Sequence, residues 1–322
     1  MTIVLTGPES HPSSSNFCAA FVRTWKTLRY RIGELRTFRR FERRLTFTPT
    51  EGQGIRVILY GIPYGDWNAM LADADLWQSL KRVSEVRRVP AFGFLVPRGD
   101  DRTIVIPMKA EHAASVPAGS HGLLPDKRAL EALGDKQQFG AYVARNGLAA
   151  HCPATYSSAD EASFPCVVKR LDLSGSVGVE VANSRAELET ILRSKIFAGR
   201  PYFLQAAVAS PVEYASFCIC DGGRLLWQWT FASTMTGPLV IKSEETDKNR
   251  QTVGMPAGVQ EQIEQVLAPI AYRGPCVVNY KLDAQGRARI FEINPRFGGS
   301  LLQRPQVALL REALGHLLDA AR

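Results

Sequence analysis

The sequence contains few of the patterns that mark metal, redox or hydrolytic enzymes. It has 5 histidines, which show no zinc-ligand spacing, and 6 cysteines, none of which forms a CxxC pair. No Ser/His/Asp or Cys/His set indicates a protein nucleophile. The loop at residues 7–16 lacks a GxGxxG fingerprint. These absences exclude a zinc site of regular spacing, a CxxC redox centre and a dinucleotide fingerprint.

Long hydrophobic runs are absent as well, and none approaches the length of a membrane span. The first residues carry no basic n-region, so they predict a strand over residues 3–5 and no signal peptide. Most cysteines lie inside apolar runs, and Cys218 and Cys220 are spaced to share one strand face. This pattern favours buried free thiols in a reducing compartment, so we expect a soluble cytoplasmic protein.

The positive charge of the chain is concentrated in one segment. The formal net charge is +8, and Arg23–Arg44 holds nine basic and two acidic residues, which leaves +1 for everything else. Apolar residues at helical spacing predict a helix over residues 17–44 with a basic outer face. Four interpretations stay open: a solvated helix face, a partner surface, contact with an acidic substrate, or non-specific nucleic-acid contact. Nucleic acid is not the partner we expect.

With 322 residues, the chain is long enough for two or three lobes, and its first part alternates strands and helices. Ile55–Pro63 predicts a strong strand, Trp67–Val83 a helix, and Ala91–Pro97 and Thr103–Pro107 further short strands. This alternation is typical of a parallel α/β layer. We therefore predict an N-terminal α/β domain over residues 1–122.

The middle part, residues 123–200, predicts a smaller lobe. Residues 130–148 indicate a loop that leads into a helix ending at Asn146-Gly147. Phe164–Arg170 predicts a strand, and Leu171–Val181 a hairpin rich in glycine and serine, whose backbone N–H groups can close over phosphates. Most such hairpins bind nothing, so the pattern is weak when taken alone. Ser184–Leu192 predicts a helix with a capping box between Ser184 and Glu187.

The last part, residues 201–322, predicts a larger lobe. Its predicted strands are Tyr202–Val208, Glu213–Cys220, Arg224–Thr230, Cys276–Asp283 and Arg287–Asn294. The polar stretch Met235–Thr252 predicts a crossing loop, and Gln260–Ala271 and Pro305–Ala321 predict helices.

One stretch near the C-terminal end carries the strongest chemical signal. In a strand that ends at Pro295, Glu292 and Asn294 point to one side, opposite to Phe291 and Ile293. A carboxylate and an amide oxygen at a strand end are ligands that Mg²⁺ accepts beside substrate phosphates. The alternative is a surface strand end that caps the last helix.

The residues that follow extend this signal. Arg296 can supply a planar fork for phosphate or carboxylate, and Gly298 and Gly299 permit a close backbone approach. Four further features suit MgATP: a lysine on one strand, the Gly/Ser hairpin, a Gln-x-x-Val strand end at Gln205–Val208, and the carboxylate of Glu213.

From Asp135-Lys136 through Ser300, the order and spacing of these features resemble the ATP-grasp superfamily. The segment Phe291–Arg296 is most similar to the branch that contains carbamoyl phosphate synthetase large chains, biotin carboxylase and many amino-acid ligases. The resemblance implies an ATP-grasp fold, with α+β lobes at residues 123–200 and 201–322 behind an N-terminal parallel α/β domain.

The resemblance also implies a role for each matching residue. Nucleotide contacts are implied for Lys136, Lys169, Ser174, Gly175, Ser176, Gly178, Gln205, Val208 and Glu213. Glu292 and Asn294 are implied ligands of Mg²⁺, with Mn²⁺ as the alternative metal. Arg296, Lys169 and Lys281 are implied to act on the transferred phosphoryl group.

The sequence departs from the pattern at Lys281, where relatives usually carry a Gln or Glu metal ligand. A charged lysine cannot ligate Mg²⁺, so either one metal is lost and Lys281 neutralises phosphate, or Asp283 or Asn279 substitutes. A milder departure is Gln205, where an acidic residue is common.

The implied reaction is an ATP-dependent, ADP-forming ligation of a carboxylate to an amine through an acyl phosphate. The expected partners are small molecules, amino acids above all, and a homodimer is one expected assembly. Three alternatives stay open: a bicarbonate-using enzyme of the carbamoyl-phosphate or carboxylase type, a non-catalytic nucleotide-binding module, and ligation onto a macromolecule.

Overall fold

A computed structural model of the chain describes residues 44–61, 67–92, 96, 101–173, 176–243, 246 and 250–321. These residues all belong to one compact unit, Arg43–Arg322. The predicted strand at residues 3–5 and all of the predicted basic helix before Arg44 lie outside the described residues. Arg44 itself begins a strand, so the prediction that the helix extends to this residue is wrong.

The first sheet has the order β1-β3-β2-β4. Its strands are β1 (Arg44–Thr46), β2 (Ile55–Tyr60), β3 (Val83–Val89) and β4 (Thr103–Pro107). Strand β2 pairs in parallel with β3 and β4, which confirms the parallel α/β arrangement, whereas β1 is antiparallel to β3. Three short helices accompany this sheet: α1 (Trp67–Leu71), α2 (Ala74–Gln78) and α3 (Ala110–Ala113).

The structure corrects two predictions in this region. The predicted helix Trp67–Val83 is interrupted at Asp73, whose carboxylate accepts the backbone N–H of Asp75 at 2.9 Å and so starts α2 anew. Val83 belongs to β3, because it pairs with β2. Of the predicted strand Ala91–Pro97, the described residues Ala91, Phe92 and Val96 lie in no strand.

The second sheet has the order β5-β8-β6-β7 and follows two helices. The helices are α4 (Lys127–Leu133) and α5 (Lys136–Arg145), and the strands are β5 (Thr155–Tyr156), β6 (Cys166–Arg170), β7 (Val179–Ala182) and β8 (Tyr202–Ala206). Residues 130–133 are helical and not a loop, because Asp126 caps α4 by accepting the N–H of Ala129 at 2.7 Å. The predicted stop at Asn146-Gly147 is confirmed, and Gly147 has a φ of +67°.

Helix α6 (Arg185–Arg193) packs on the second sheet and confirms the predicted helix. Ser184 accepts the N–H of Glu187 at 3.2 Å, as a capping box requires. The carboxylate of Glu187, however, accepts the N–H of Asn183 and not that of Ser184. Strand β8 lies beyond residue 200, so this sheet extends past the predicted lobe boundary; the division into three domains stays a prediction.

The third sheet is antiparallel with the order β11-β10-β9-β12-β13. Its strands are β9 (Val212–Asp221), β10 (Arg224–Thr234), β11 (Gln251–Val253), β12 (Gly274–Leu282) and β13 (Ala288–Asn294). Two helices complete this part, α7 (Val259–Leu267) and α8 (Val307–Ala320). The sequence predicts Gln251 and Thr252 as part of a crossing loop, but both lie in β11, which pairs with β10 at the edge of the sheet.

Alternate residues of the third sheet enter two different cores. One face, with Phe217 and Val277, packs with the first sheet and α8. The other face, with Cys218 and Cys276, packs with α4, α5 and α7.

The predicted buried free thiols are confirmed for the five described cysteines, and burial raises the pKa of Cys152 to about 12. Among the described residues, no helix has both the length and the apolarity that a bilayer crossing requires.

Candidate active site

A cavity of about 470 Å³ is lined by residues of the second sheet, the third sheet and the segment after β13. It contains almost every described residue to which the sequence assigned a role. These are Lys136, Lys169, Ser176, Gln205, Val208, Glu213, Lys281, Glu292, Asn294 and Arg296. The cavity thus brings together residues that are up to 160 positions apart in the chain (Lys136 and Arg296).

Of the predicted phosphate-covering loop, Ser176 lines the cavity, whereas the other described residue, Gly178, does not. Ser174 and Gly175 lie outside the described residues. Gly178 does not line the cavity; it has a φ of +69°, and a Cβ added there would stand 2.7 Å from Cγ of Arg170. The carbonyl of Gly178 accepts the N–H of Arg170 at 2.8 Å, so this glycine holds the base of the hairpin.

Lys169 lies on β6 at the centre of the cavity. Its ammonium donates to Oε1 of Gln205 at 2.9 Å and lies 4.9 Å from the ring centroid of Phe291. Burial lowers the pKa of Lys169 to about 8, although the nearby Glu292 acts in the opposite direction. The sequence carries Gln205 where an acidic residue is common in ATP-grasp proteins. In the structure, the neutral amide of Gln205 accepts a hydrogen bond from Lys169.

Registered pairs on the third sheet define three rows across its cavity face. The polar row is Ser233, Glu213 and Lys281; the middle row is Phe231, Ala215, Asn279 and Glu292; the apolar row is Phe217, Val277 and Asn294. Neighbouring strands are about 4.8 Å apart, so a ligand a few ångströms long spans two members of a row.

The polar row carries a network of charges. Glu213 forms an ion pair with Lys242 at 3.0 Å, and Lys281 Nζ donates to the carbonyl of Pro238 at 3.4 Å. Burial lowers the pKa of Lys281, and Glu213 opposes this shift. Sequence reasoning missed Lys242, because it lies in an irregular segment with no periodic pattern to place it.

At the end of the middle row, Asn279 Nδ2 donates to Oε2 of Glu292 at 2.9 Å. A bulge here sets Asn279 opposite Glu292 but Tyr280 opposite Ile290. The bulge brings Phe291 to the cavity beside Glu292, so the prediction that Phe291 points away from Glu292 is wrong. Ile293 lies in the opposite core as predicted.

Of the two substitutes considered for the missing metal ligand, Asp283 does not line the cavity. Its carboxylate closes the β12–β13 hairpin by accepting the N–H groups of Gln285 and Arg287. Asn279 does line the cavity. Within the described ranges, no cluster of three or more His, Cys, Asp or Glu residues is placed to hold a metal ion.

The segment after β13 packs closely at two glycines, Gly298 on the third sheet and Gly299 on α1. A Cβ on Gly298 would stand 2.0 Å from Cε1 of Phe217, and one on Gly299 would stand 2.9 Å from Cζ2 of Trp67. The predicted close backbone approach is therefore confirmed, although the partners are protein rings. Arg296 lines the cavity and donates from Nη1 to the carbonyl of Phe297 at 2.9 Å.

Arg250 is a second cavity residue that sequence reasoning missed. Its guanidinium lies 5.1 Å from the ring centroid of Phe231 and donates from Nη2 to Oε1 of Gln303 at 2.9 Å. Phe231 in turn meets Phe217 edge to face, with centroids 5.5 Å apart. The polar stretch before β11 contains no motif that would have identified Arg250.

No protein-family model matches the chain. Solved structures with the same fold include D-alanine–D-alanine ligase from Bacillus anthracis complexed with ATP, at 14% identity, covering 84% of this chain and 97% of that one with a TM-score of 0.51. D-cycloserine synthetase DcsG matches at 13% identity over 82% and 100%, with a TM-score of 0.54. Phosphoribosylamine–glycine ligase from Thermotoga maritima matches at 17% identity over 81% and 75%, with a TM-score of 0.55. The structural neighbours are ATP-grasp ligases, which confirms the predicted ATP-grasp fold.

Proposed function

We propose, from the ATP-grasp fold and the cavity just described, that this protein is an ATP-dependent, ADP-forming carboxylate–amine ligase that acts on small molecules. The observation that carries the proposal is the charge of the cavity. Its described lining holds the cations Lys136, Lys169, Lys242, Lys281, Arg250 and Arg296 but only two carboxylates, Glu213 and Glu292. This excess of positive charge in a partly apolar cavity suits a nucleotide triphosphate.

Nucleotide binding divides between the two lobes in this proposal. Lys136 and Lys169 contact phosphates, Gln205 and the backbone near Val208 hold the base, and Glu213 takes the ribose hydroxyls. The covering loop is assigned to Ser174, Gly175, Ser176 and Gly178. Support comes from the apolar side chains around the assigned base site, since Val167, Val179, Val181, Leu239 and Ile241 also line the cavity.

Glu292 and Asn294 would hold one Mg²⁺ or Mn²⁺. One carboxylate and neighbouring amide groups fit a hard cation whose remaining ligands are phosphate oxygens and water. The metal would supply charge neutralisation at the phosphates. Lys281, which lines the same cavity, supports the one-metal arrangement because it adds a fixed positive charge.

In the proposed reaction, the substrate carboxylate attacks the γ-phosphate of ATP, and the bond to ADP breaks. An amine then displaces phosphate from the acyl phosphate and loses a proton. Arg296, Lys169 and Lys281 stabilise charge on the transferred group. The mechanism requires that water be kept from the acyl phosphate, which it would otherwise hydrolyse.

Product analysis tests this proposal. Purified protein is incubated with MgATP and pooled amino acids and small carboxylic acids, and ADP and AMP are separated by chromatography. We expect ADP that depends on the pool, and division of the pool then identifies the acid and the amine. AMP would overturn the acyl-phosphate mechanism.

One observation favours a second candidate, a non-catalytic nucleotide-binding module. A buried lysine, Lys281, occupies the polar row beside Glu213, where it adds charge without adding a metal ligand. MgATP binding without ADP formation, across acids, amines and bicarbonate, would support this candidate over the ligase.

A further inference from the structure

The middle row forms a continuous track from the proposed metal ligand to an aromatic wall. Register pairs place Glu292 beside Asn279, Asn279 beside Ala215, and Ala215 beside Phe231. All four residues line the cavity. At about 4.8 Å per strand, the track runs for about 14 Å from Glu292 to Phe231.

Polarity changes along this track. The Glu292 end is polar, with the Asn279–Glu292 hydrogen bond at 2.9 Å. The Phe231 end is apolar, because Phe231 and the neighbouring Phe217 pack edge to face and are only 3% and 5% exposed. Arg250 lies over the ring of Phe231, donates to Gln303 and itself lines the cavity, so one guanidinium borders this aromatic wall.

Ala215 has the smallest side chain in the track. It lies between Phe231 on β10 and Asn279 on β12, and the residues above and below it on the same face of β9 are the larger Phe217 and Glu213. A short side chain between larger ones leaves a depression in the floor. Any larger residue at this position would fill the space over the sheet.

We propose that the middle row binds the carboxylic acid substrate and selects a neutral, apolar chain. The carboxylate lies at the Glu292 and Asn279 end, and the hydrocarbon chain crosses Ala215 to reach Phe231 and Phe217. Ala215 determines the chain size that the track accepts. This inference rests on the proposed ligase function and assigns its acid substrate to a chemical class.

A positively charged chain end is disfavoured on this track. An ammonium at the far end of the acid would leave water and approach the guanidinium of Arg250, which already lies over the Phe231 ring, so desolvation and like-charge repulsion both oppose its binding. Each buried methylene, in contrast, contributes favourably. We therefore expect the track to discriminate between acids of nearly equal length according to whether the end remote from the carboxylate carries an ammonium group.

The test uses calorimetry to measure the equilibrium binding of three acids to the protein saturated with MgADP, so that it does not depend on turnover. The acids are propionate, hexanoate and 6-aminohexanoate. We expect hexanoate to bind about tenfold or more tighter than propionate, because three additional methylenes are buried. We expect 6-aminohexanoate to bind more weakly than hexanoate.

Two variants test whether the side chain of residue 215 limits the size of the acid that binds. Ala215→Met should weaken hexanoate binding by about tenfold while changing propionate binding less than about twofold, because only the longer chain reaches this position. Ala284→Met adds the same side chain in the exposed β12–β13 turn and should change neither affinity. If Ala215→Met fails to fold, Ala215→Val offers a smaller increment with the same expected direction.

Equal affinities for propionate and hexanoate would overturn the inference, as would equal losses of both acids in Ala215→Met. MgADP binding without binding of any of the three acids would also overturn it, and would leave the ligase proposal to its own product test. Failure to bind MgADP at all would remove the proposed function together with the inference.

Discussion

The polar row and the apolar row occupy the same face of one sheet, yet they differ in the partners of their side chains. Glu213 and Lys281 in the polar row contact groups of the segment before β11, namely Lys242 and Pro238. Phe217 and Val277 in the apolar row contact the backbone of Gly298 and the core of the first sheet. Charge is thus concentrated where the sheet meets a covering segment, and apolar packing where it meets another core.

This difference shows how one cavity combines a charged region with an apolar region. Alternation along β9, β10 and β12 sends every second residue to the cavity, whatever its polarity. The position of a residue along its strand then determines whether its side chain meets the segment before β11 or the core of the first sheet. The middle row lies between the two environments, so it carries both Glu292 and Phe231.

The largest expected effect comes from removing the carboxylate at the polar end of the middle row. Glu292→Ala should lower the rate of ADP formation by about 100-fold or more, because it removes the proposed carboxylate metal ligand. Chromatographic ADP release measures the rate, and the thermal unfolding midpoint should change little. Glu261→Ala, on the exposed face of α7, is the matched control. Unchanged turnover in Glu292→Ala would contradict the metal-site assignment.

The apolar row is tested at Gly298. Gly298→Ala should lower the free energy of unfolding by about 1–3 kcal/mol, because the new methyl group overlaps Phe217. Gly315→Ala, inside α8 with nothing within 4 Å of the added Cβ, should instead raise it by about 0.4–1 kcal/mol. Urea unfolding measures both values. If both substitutions changed the free energy of unfolding in the same direction, close packing would not be the reason that residue 298 is a glycine.

Substitutions of Lys169 test how burial affects the proposed binding of nucleotide phosphates. Lys169→Met should weaken MgATP binding by about tenfold at pH 7, since it removes a charged donor, and should change stability less. Burial lowers the pKa of Lys169 to about 8, so the charged form is lost above that pH and affinity should fall. Lys169→Arg keeps its charge and should show a flatter profile. If the MgATP affinities of wild type and Lys169→Arg depended on pH in the same way, the titration would belong to another group.

The same shift predicts how stability depends on pH. The pKa of Lys169 is lower in the folded chain than the ordinary lysine value of 10.5, so the unfolded chain holds this proton more tightly. The contribution of this group to the free energy of unfolding should therefore rise as pH increases from about 8 to 10.5. The difference between wild type and Lys169→Met in urea unfolding across this range measures it, and a falling difference would contradict the assignment.

The smallest expected effect is at the polar row. Lys281→Met should weaken MgADP binding by about three- to tenfold, with a smaller loss in high salt, because one of several cations is removed. Lys242→Met is the comparison, since Lys242 directly pairs with Glu213. Isothermal calorimetry at two salt concentrations measures both. Unchanged affinity in Lys281→Met would indicate that Lys281 serves the structure of the row and not the nucleotide.

Much of the fold was predictable from local pattern. Strands such as β2, β6 and β12 are apolar runs with clear ends, and Ser184 and Asn146-Gly147 mark helix limits through their own backbone chemistry. The predictions that failed depended on distant pairing. Val83 is a strand residue because β2 lies beside it, and β11 is a strand because β10 offers a partner edge.

The candidate site shows the same division. The sequence by itself predicted which residues would carry the chemistry, and it determined the alternation that directs Glu292 and Asn294 to one side. Only the tertiary structure decided that Phe291 joins them through a bulge, that Asp283 is engaged in a turn, and that Lys242 and Arg250 complete the lining. The reason is physical: backbone periodicity is local, whereas cavities and buried charges arise from contacts between strands far apart in the chain.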